Sequence, residues 1–440
     1  MNKPYGQILL TFAMACTLLI LSATNAHAVF LLLQEVSAES VGQANMLTAY
    51  GQRPSSQYHN SSNLSFIDED FTAEIAFTMY IPIATYTNPS NVSTTADVEP
   101  EYAPHVYLSF KPTEWMAIGL AAFPNYGIIT RWPDNWEGEY VVKRNSVKSF
   151  TVNPNISFGP FKGFAISAGF DATWSAISTT RVFTLGMVPD GDDGDGSFKM
   201  AGQGWAFGGN AGLSYQPADW VRMGLGYRSK FKLAFEGSMD FDVSEPWEWR
   251  FPDQDFDLGI NVPHQVSFGA RFWPMENLSV EIDAWYFSWS VHESRDINME
   301  EGVYEAPDKT RMVDAAPQNL KDGFLIGVGS EYWFHENVCA RLGISYSSNV
   351  QPDEAVDPVQ PDGHRINIGV GFGYKWKGLN VDLAYLLGYI VPHDVSVPSA
   401  MPGEYENLKH VLSFSIGYHF DIFGHNDAAK TVIVSEEAIN

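Results

Sequence analysis

Two stretches of this 440-residue chain gather apolar side chains where exposed connections would ordinarily be polar. One holds Phe183, Leu185, Met187 and Val188; the other holds Phe231, Leu233, Phe235, Met239, Phe241, Trp247, Trp249 and Phe251. The chemistry open to such residues is desolvation. They either pack on one another or line a groove for apolar molecules. Burial at about 25 cal/mol per Å² favours any long hydrocarbon without choosing among them. The groove is the reading adopted, with Phe183, Leu185, Met187, Phe231, Phe235, Trp247 and Trp249 as substrate-binding residues. Choice between substrates would rest on polar groups. A fatty acid carboxylate needs a cation or several donors, which Arg181 beside the first stretch can supply, whereas a neutral or aromatic hydrocarbon needs none.

Other chemistry is less well supported. His292, His364 and His393 could serve a hydrolase, but no spacing pairs them with a nucleophile or an orienting acid, so no catalytic residue is assigned and no enzyme is expected. The run Asp190-Gly191-Asp192-Asp193-Gly194-Asp195 misses the Asp-x-Asp-x-Asp-Gly order of a calcium loop. It reads as a solvated acidic loop that divalent cations could bridge to lipopolysaccharide phosphates. No metal or cofactor is expected. A formal net charge of −26 argues against a nucleic-acid partner.

The elements that must position these stretches are strands. In His410-Val411-Leu412-Ser413-Phe414-Ser415-Ile416-Gly417-Tyr418-His419-Phe420, even positions from Leu412 are large and apolar and odd positions from Ser413 are small or polar. A tilted strand of about ten residues spans a bilayer core, and strands can do so only in a closed barrel, because lipid satisfies no backbone hydrogen bond. The pattern predicts strands over 71–81, 102–110, 115–122, 147–158, 162–175, 203–216, 220–229, 264–273, 277–288, 323–334, 338–346, 364–376, 379–388 and 409–420: an all-β, 14-stranded antiparallel transmembrane barrel. Turns after the even strands are tight: Pro112-Thr113-Glu114, Gly159-Pro160, Pro217-Ala218-Asp219, Pro274-Met275-Glu276, His335-Glu336-Asn337 and Lys377-Gly378. Connections after the odd strands are long. Outer-membrane barrels put short turns in the periplasm and long loops outside, so both chain ends are expected in the periplasm.

Flanking segments complete the plan. Lys3, the apolar run Ile8 to Leu21 and Ala26-His27-Ala28 read as a secretory signal peptide over residues 1–28. A lipoprotein box at Ala13-Met14-Ala15-Cys16 is the rival reading, but cleavage there would leave Thr17 to Leu21 apolar at the new terminus. Without Cys16, Cys339 stands alone as a small lumen-facing residue and there is no disulfide framework. Inferred inward positions alternate glycines (Gly224, Gly226, Gly327, Gly329, Gly369, Gly371, Gly373) with charges (Arg222, Arg228, Glu331, Arg341, Arg365, Asp382). That wall leaves room for residues 29–70 as an internal hatch. Residues 421–440 read as a periplasmic tail, and Tyr418-x-Phe420 looks like an insertion signal for the barrel-assembly machinery. The protein is expected to be an outer-membrane monomer of a Gram-negative cell. A general diffusion porin shares the barrel but needs an open lumen.

Several stretches together resemble the FadL family of long-chain fatty acid and hydrophobic-compound transporters. They are Val41-Gly42-Gln43-Ala44 and Tyr58-His59-Asn60-Ser61-Ser62-Asn63-Leu64 of the hatch, Pro124-Asn125-Tyr126-Gly127 with Trp136-Glu137-Gly138-Glu139-Tyr140, Gly212-Leu213-Ser214-Tyr215 with Gly224-Leu225-Gly226-Tyr227-Arg228, and Pro263-His264-Gln265-Val266-Ser267-Phe268-Gly269. The resemblance implies capture of substrate between extracellular loops, a pocket above the hatch, and sideways exit through a gap beside the kinked third strand. Pro124 cannot donate to a ladder and Gly127 permits a bend; with Asn60 on the hatch behind them, these are the expected gate residues. Two departures stand out. The family's Asn-Pro-Ala is Asn60-Ser61-Ser62 here, which implies a looser hatch turn, and residues continue past Phe420.

Overall fold

A strand in lipid must find both hydrogen-bonding neighbours within its own sheet. This structure, a computed structural model, describes residues 31–185, 194–300, 303–304, 311–312, 314–396, 399 and 401–420. Its wall is made of β1 (Phe71–Thr87), β2 (Glu101–Thr113), β3 (Met116–Phe123 and Gly127–Arg131), β4 (Arg144–Phe161), β5 (Phe164–Thr184), β6 (Asp195–Ala218), β7 (Val221–Arg228 and Phe231–Asp242), β8 (Gln254–Val262 and Gln265–Met275), β9 (Leu278–Phe287 and Ser294–Met299), β10 (Asp314–Pro317 and Gly323–His335), β11 (Val338–Ser347), β12 (Arg365–Trp376), β13 (Leu379–Val395) and β14 (Gly403–Phe420). Strands adjacent in sequence pair antiparallel. β14 returns to β1 in an unbroken ladder from Phe71↔Phe420 to Thr87↔Glu404. The sheet therefore closes on itself, each strand having a neighbour on both sides along most of its length.

Side-chain alternation follows the solvent on each face. Along β14, Leu412, Phe414 and Ile416 are exposed on the lipid side while Ser413 and Ser415 are buried inside. The inward glycines and charges expected of the wall face the lumen, and Cys339 is buried there too. The six tight turns lie where expected except one. β4 runs on through Gly159-Pro160 to Phe161, and the chain reverses at Lys162-Gly163, both with positive φ.

The outward ends differ more. β5 and β6 are 21 and 24 residues long, about twice what a bilayer crossing requires. The stretch 231–242, read from sequence as a loop, is strand. Its phase is inverted: Phe231, Leu233, Phe235 and Met239 point inward and are buried, while Lys232, Glu236 and Asp240 face outward. The change occurs at Ser229-Lys230, where Ser229 closes onto Gly209 through its backbone N–H (2.8 Å) and Oγ (2.9 Å). β8 inverts likewise at Pro263-His264. Above the bilayer the outside is water, so the apolar face turns in.

Residues 31–66 lie inside the barrel, all buried but Leu33, Gln52 and Phe66. They form α1 (Ala38–Gly42), α2 (Gln57–Asn60) and two 3-10 turns, Pro54–Ser56 and Ser61–Phe66. Ser37 caps α1 by accepting from the Ser40 N–H at 3.2 Å. The chain here rests on a glycine floor: a Cβ on Gly369 would lie 2.2 Å from the Val41 carbonyl oxygen, and one on Gly343 2.2 Å from the Gln43 carbonyl carbon. No larger residue fits at either place.

Candidate functional site

The periplasmic half of the lumen is filled and tied to the wall by charge. Arg53 of the hatch pairs with Asp382 of β13, which also accepts from Arg341 of β11 at 2.7 Å. Arg341 Nε donates to Glu331 of β10 at 2.8 Å. The backbone N–H groups of Thr48 and Ala49 donate to Asp283 and Glu281 of β9 at 3.0 and 2.6 Å. His59 stacks edge-on against Trp285, ring centroids 5.8 Å apart, with Nε2 3.1 Å from Ser40 Oγ. Burial pushes its imidazole down to about 3, so it is neutral at physiological pH.

The wall itself is interrupted at one place. β2 stays paired with β1 as far as Glu101↔Tyr80, but its ladder to β3 stops at Val106↔Ala122. After Pro124 the second part of β3 pairs with β4 alone. Tyr102, Ala103, Pro104 and His105 therefore have β1 on one side and no ladder on the other. Two prolines, Pro104 and Pro124, remove donors at this seam. From inside, the leading hatch segment takes up the kink: Leu33 N–H donates to the Asn125 carbonyl and Gly127 N–H to the Leu31 carbonyl, each at 3.0 Å. The opening is bounded above by Asp97 N–H donating to the Arg131 carbonyl at 2.7 Å and by Lys148 Nζ 3.2 Å from Glu101.

A cavity of about 420 Å³ passes through this window. Its lining includes lumen-side Tyr80, Leu32, Arg365 and Lys409 as well as lipid-side Ile83, Tyr102, Phe150 and Trp174, with Pro124 and Gly127 at the kink. A second cavity of about 100 Å³ lies under the extracellular cap, lined by Ile177, Thr179, Arg181, Phe198, Met200, Leu258 and Arg295 among others. Between them a constriction of about 20 Å³ shares Asn145, Ile177 and Arg295 with the upper cavity and Val147 and Gln360 with the lower. Leu31 and His292 also face it.

The chain's sequence matches the family described as "Outer membrane protein transport protein (OMPP1/FadL/TodX)" over residues 19–420. It belongs to that family. The long-chain fatty acid transport protein of Escherichia coli is 20% identical over 332 residues, 68% of this chain and 72% of that one. The solved structure of a Pseudomonas aeruginosa FadL homologue covers 89% of this chain and 100% of its own, at 16% identity and a TM-score of 0.79. That of the Pseudomonas putida toluene transporter TodX covers 88% and 99%, at 15% identity and a TM-score of 0.71. As a member of the FadL/TodX family the protein resides in the outer membrane, and its relatives are transport proteins. The resemblance read from the hatch and strands is met.

Against this family frame the individual residues sort differently from expectation. Pro124 and Gly127 line the window. Asn60 does not stand behind it: its Nδ2 donates to the carbonyls of Thr48 and Leu213 at 3.0 and 3.2 Å and to Ser214 Oγ at 3.1 Å, the last two on β6. Leu32 and Leu33 occupy the place assigned to it. The hatch turn is anchored rather than slack, since Ser61 and Ser62 place their hydroxyls 2.8 and 2.7 Å from Ser167 and Ser214 of the wall.

Arg181 does not follow β5 but lies within it, its guanidinium 5.1 Å from the Phe198 ring centre and lining the cap cavity. Phe231 and Phe235 belong to the buried apolar cluster of the upper lumen with Leu31, Leu32 and Tyr126. Phe183 packs on Phe251, centroids 4.8 Å apart, and Leu185 is buried. Trp249 is 47% exposed, and Trp247 ends the 3-10 turn Glu245–Trp247 outside that cluster. Met187, Val188 and residues 190–193 of the acidic run lie outside the described residues, as do the signal peptide and the tail. His292 lines the constriction, whereas His364 and His393 both lie beside Asp362, His364 Nδ1 2.6 Å from the Tyr346 hydroxyl and His393 Nε2 3.0 Å from Asp353.

Proposed function

We propose that the protein takes up hydrophobic molecules from outside the cell, through the cap cavity and constriction, and releases them sideways into the membrane through the window beside β3. The observation that carries this reading is the run of three cavities sharing lining residues from Arg181 under the cap to Phe150 and Trp174 on the lipid face. The straight path downward is closed by the hatch and its ion pairs, which disfavours a diffusion porin. Apolar cargo suits the lining, and the names of the relatives, a long-chain fatty acid transport protein and a toluene transporter, belong to that class. The barrel closes on its own strands, consistent with a monomer, and the exposed Tyr418 and Phe420 at the end of β14 suit recognition by the barrel-assembly machinery.

Gly127 provides the test. A Cβ there would already lie 3.2 Å from Leu33 Cδ1 and 3.4 Å from the Val147 carbonyl oxygen. Gly127→Trp should fill the window and cut uptake of radiolabelled oleate by tenfold or more, on the order of 1.4 kcal/mol in barrier. Wild-type uptake by a correctly inserted, heat-modifiable mutant would redirect the exit elsewhere, most simply down past the hatch.

A further inference from the structure

The constriction between the cap cavity and the window cavity has room for about one water molecule, so nothing larger passes unless a wall moves. Most of its lining cannot move alone: Asn145 and Val147 of β4, Ile177 of β5 and Ile260 of β8 stand on laddered strands. Gln360 does not. It belongs to the connection from β11 to β12, which folds inward over residues 348–362 with only Asp353 and Glu354 exposed. Successive residues of that connection step down the route: Val359 lines the cap cavity, Gln360 the constriction and the window cavity, and Pro361 the window cavity.

No ladder holds this stretch. Pro358 and Pro361 have no N–H to give, and the N–H groups of Val359 and Gln360 turn back to Asp357 Oδ1 at 2.9 and 3.4 Å. Its backbone reaches the wall through carbonyls caught by side chains: Trp132 Nε1 donates to Pro358 at 3.0 Å, Thr130 Oγ1 to Val359 at 2.9 Å and Asn407 Nδ2 to Pro361 at 3.3 Å. Two of those donors sit on or next to the upper part of β3, which edges the window and whose ladder is to β4 alone. The ionic tie of Asp357 to Arg295 is long, at 3.9 Å. Val359 also packs in an apolar cluster with Trp132 and Tyr405, a contact without direction that a sliding segment can keep. Gln360 Nε2 has no hydrogen-bond partner among the described residues, so the side chain stops the constriction without being tied there.

We propose that residues 356–361 are a strap that opens the constriction and the window together. Cargo pushing past Gln360 lifts the strap, Thr130 and Trp132 lose their carbonyl acceptors, and the upper part of β3 is freed to swing away from the window it edges. The prolines fix φ, so the strap moves as one piece. The inference rests on the reading that these cavities form the uptake route.

Hydrogen-deuterium exchange of the full-length protein in lipid nanodiscs, with and without saturating oleate, tests the strap directly. In wild type, oleate should speed exchange over residues 356–363 and 127–132 together, by about threefold or more in each. Thr130→Val combined with Trp132→Phe removes two donors and keeps the side-chain shapes. It should speed exchange of 356–363 about tenfold without oleate, the scale of two lost hydrogen bonds, and raise oleate uptake by cells about threefold. Should that variant fail to assemble, the wild-type comparison decides alone. Exchange over 356–363 unmoved by oleate, or a loosened strap with wild-type uptake, would overturn the strap, while a block of uptake by Gly127→Trp would leave the route standing. Wild-type uptake through Gly127→Trp would sink the route, and the strap's coupling to the window with it.

Discussion

The lower lumen and the side wall solve opposite problems with the same kind of strand. Below, α1 lies on Gly343 and Gly369, and Arg53, Asp382, Arg341 and Glu331 form a continuous buried charge chain. There is no slack, and any vertical path must break ionic contacts. Beside β3, two prolines and a glycine leave the ladder incomplete, and the lipid-side mouth of the space is lined by Ile83, Tyr102, Phe150 and Trp174. On the proposed route closure and passage are separated in space: polar groups lock the axis, and missing hydrogen bonds leave the flank as the way out.

The sharpest way to break that comparison is to unlock the floor. Asp382→Ala removes the acceptor shared by Arg53 and Arg341 and should cost the hatch about 3–5 kcal/mol, the usual penalty for orphaning buried charges. Protease cleavage within residues 51–66 and ion conductance in planar bilayers should both appear. A hatch as resistant as wild type would mean that the glycine floor alone holds it. Phe235→Ala in the upper lumen should cost about 3 kcal/mol, toward the lower end for a buried phenylalanine because the neighbouring cavity lets the site relax. Its thermal midpoint should fall while the hatch stays protected; exposure of the hatch in this mutant would show the two halves to be coupled.

A milder probe is acid. The folded-state pKa of His59, about 3, lies below the ordinary 6.5, so protonation is unfavourable in the folded hatch and free in an unfolded one. The stability it lends is therefore full above about pH 6.5 and is lost as pH falls toward 3, at about 1.4 kcal/mol per pH unit. Deuterium uptake by residues 57–66 should rise between pH 7.5 and pH 5 in wild type and much less in His59→Asn. Identical profiles would assign the acid sensitivity to another group. The smallest effect is expected at the loop tip: replacing Trp247 and Trp249 together with Ser should change uptake by less than about twofold, as for substitutions away from a buried cluster. A large loss would return the capture site to the tip.

What could be read in the sequence was whatever the bilayer imposes. Fourteen strands were legible because lipid outside and polar lumen inside force one phase of alternation over about ten residues, as in Leu412 to Phe420. The upper halves of β7 and β8 were not, because at Ser229-Lys230 and Pro263-His264 the phase inverts and the apolar residues change sides, so Phe231, Leu233 and Phe235 looked like a greasy loop. Pro124 and Gly127 announced the kink. Their counterpart Pro104 was passed over as one residue in an expected strand, and Leu31-Leu32-Leu33 read as ordinary hatch residues. Asn60 was misplaced because its partners, Leu213 and Ser214, are more than 150 positions away, and no local pattern encodes that distance.

The length of β6 has a consequence for where a solute first touches the protein. Its 24 residues, tilted near 45° with a rise of about 3.4 Å each, reach some 58 Å, against an apolar band of about 25 Å. Since the turn at its periplasmic end is tight, nearly all the surplus, roughly 30 Å, rises on the far side as a chimney. A chimney of that height carries the rim formed by β5 and β6 well clear of the apolar band, so on the proposed route a solute would meet protein before it meets the membrane.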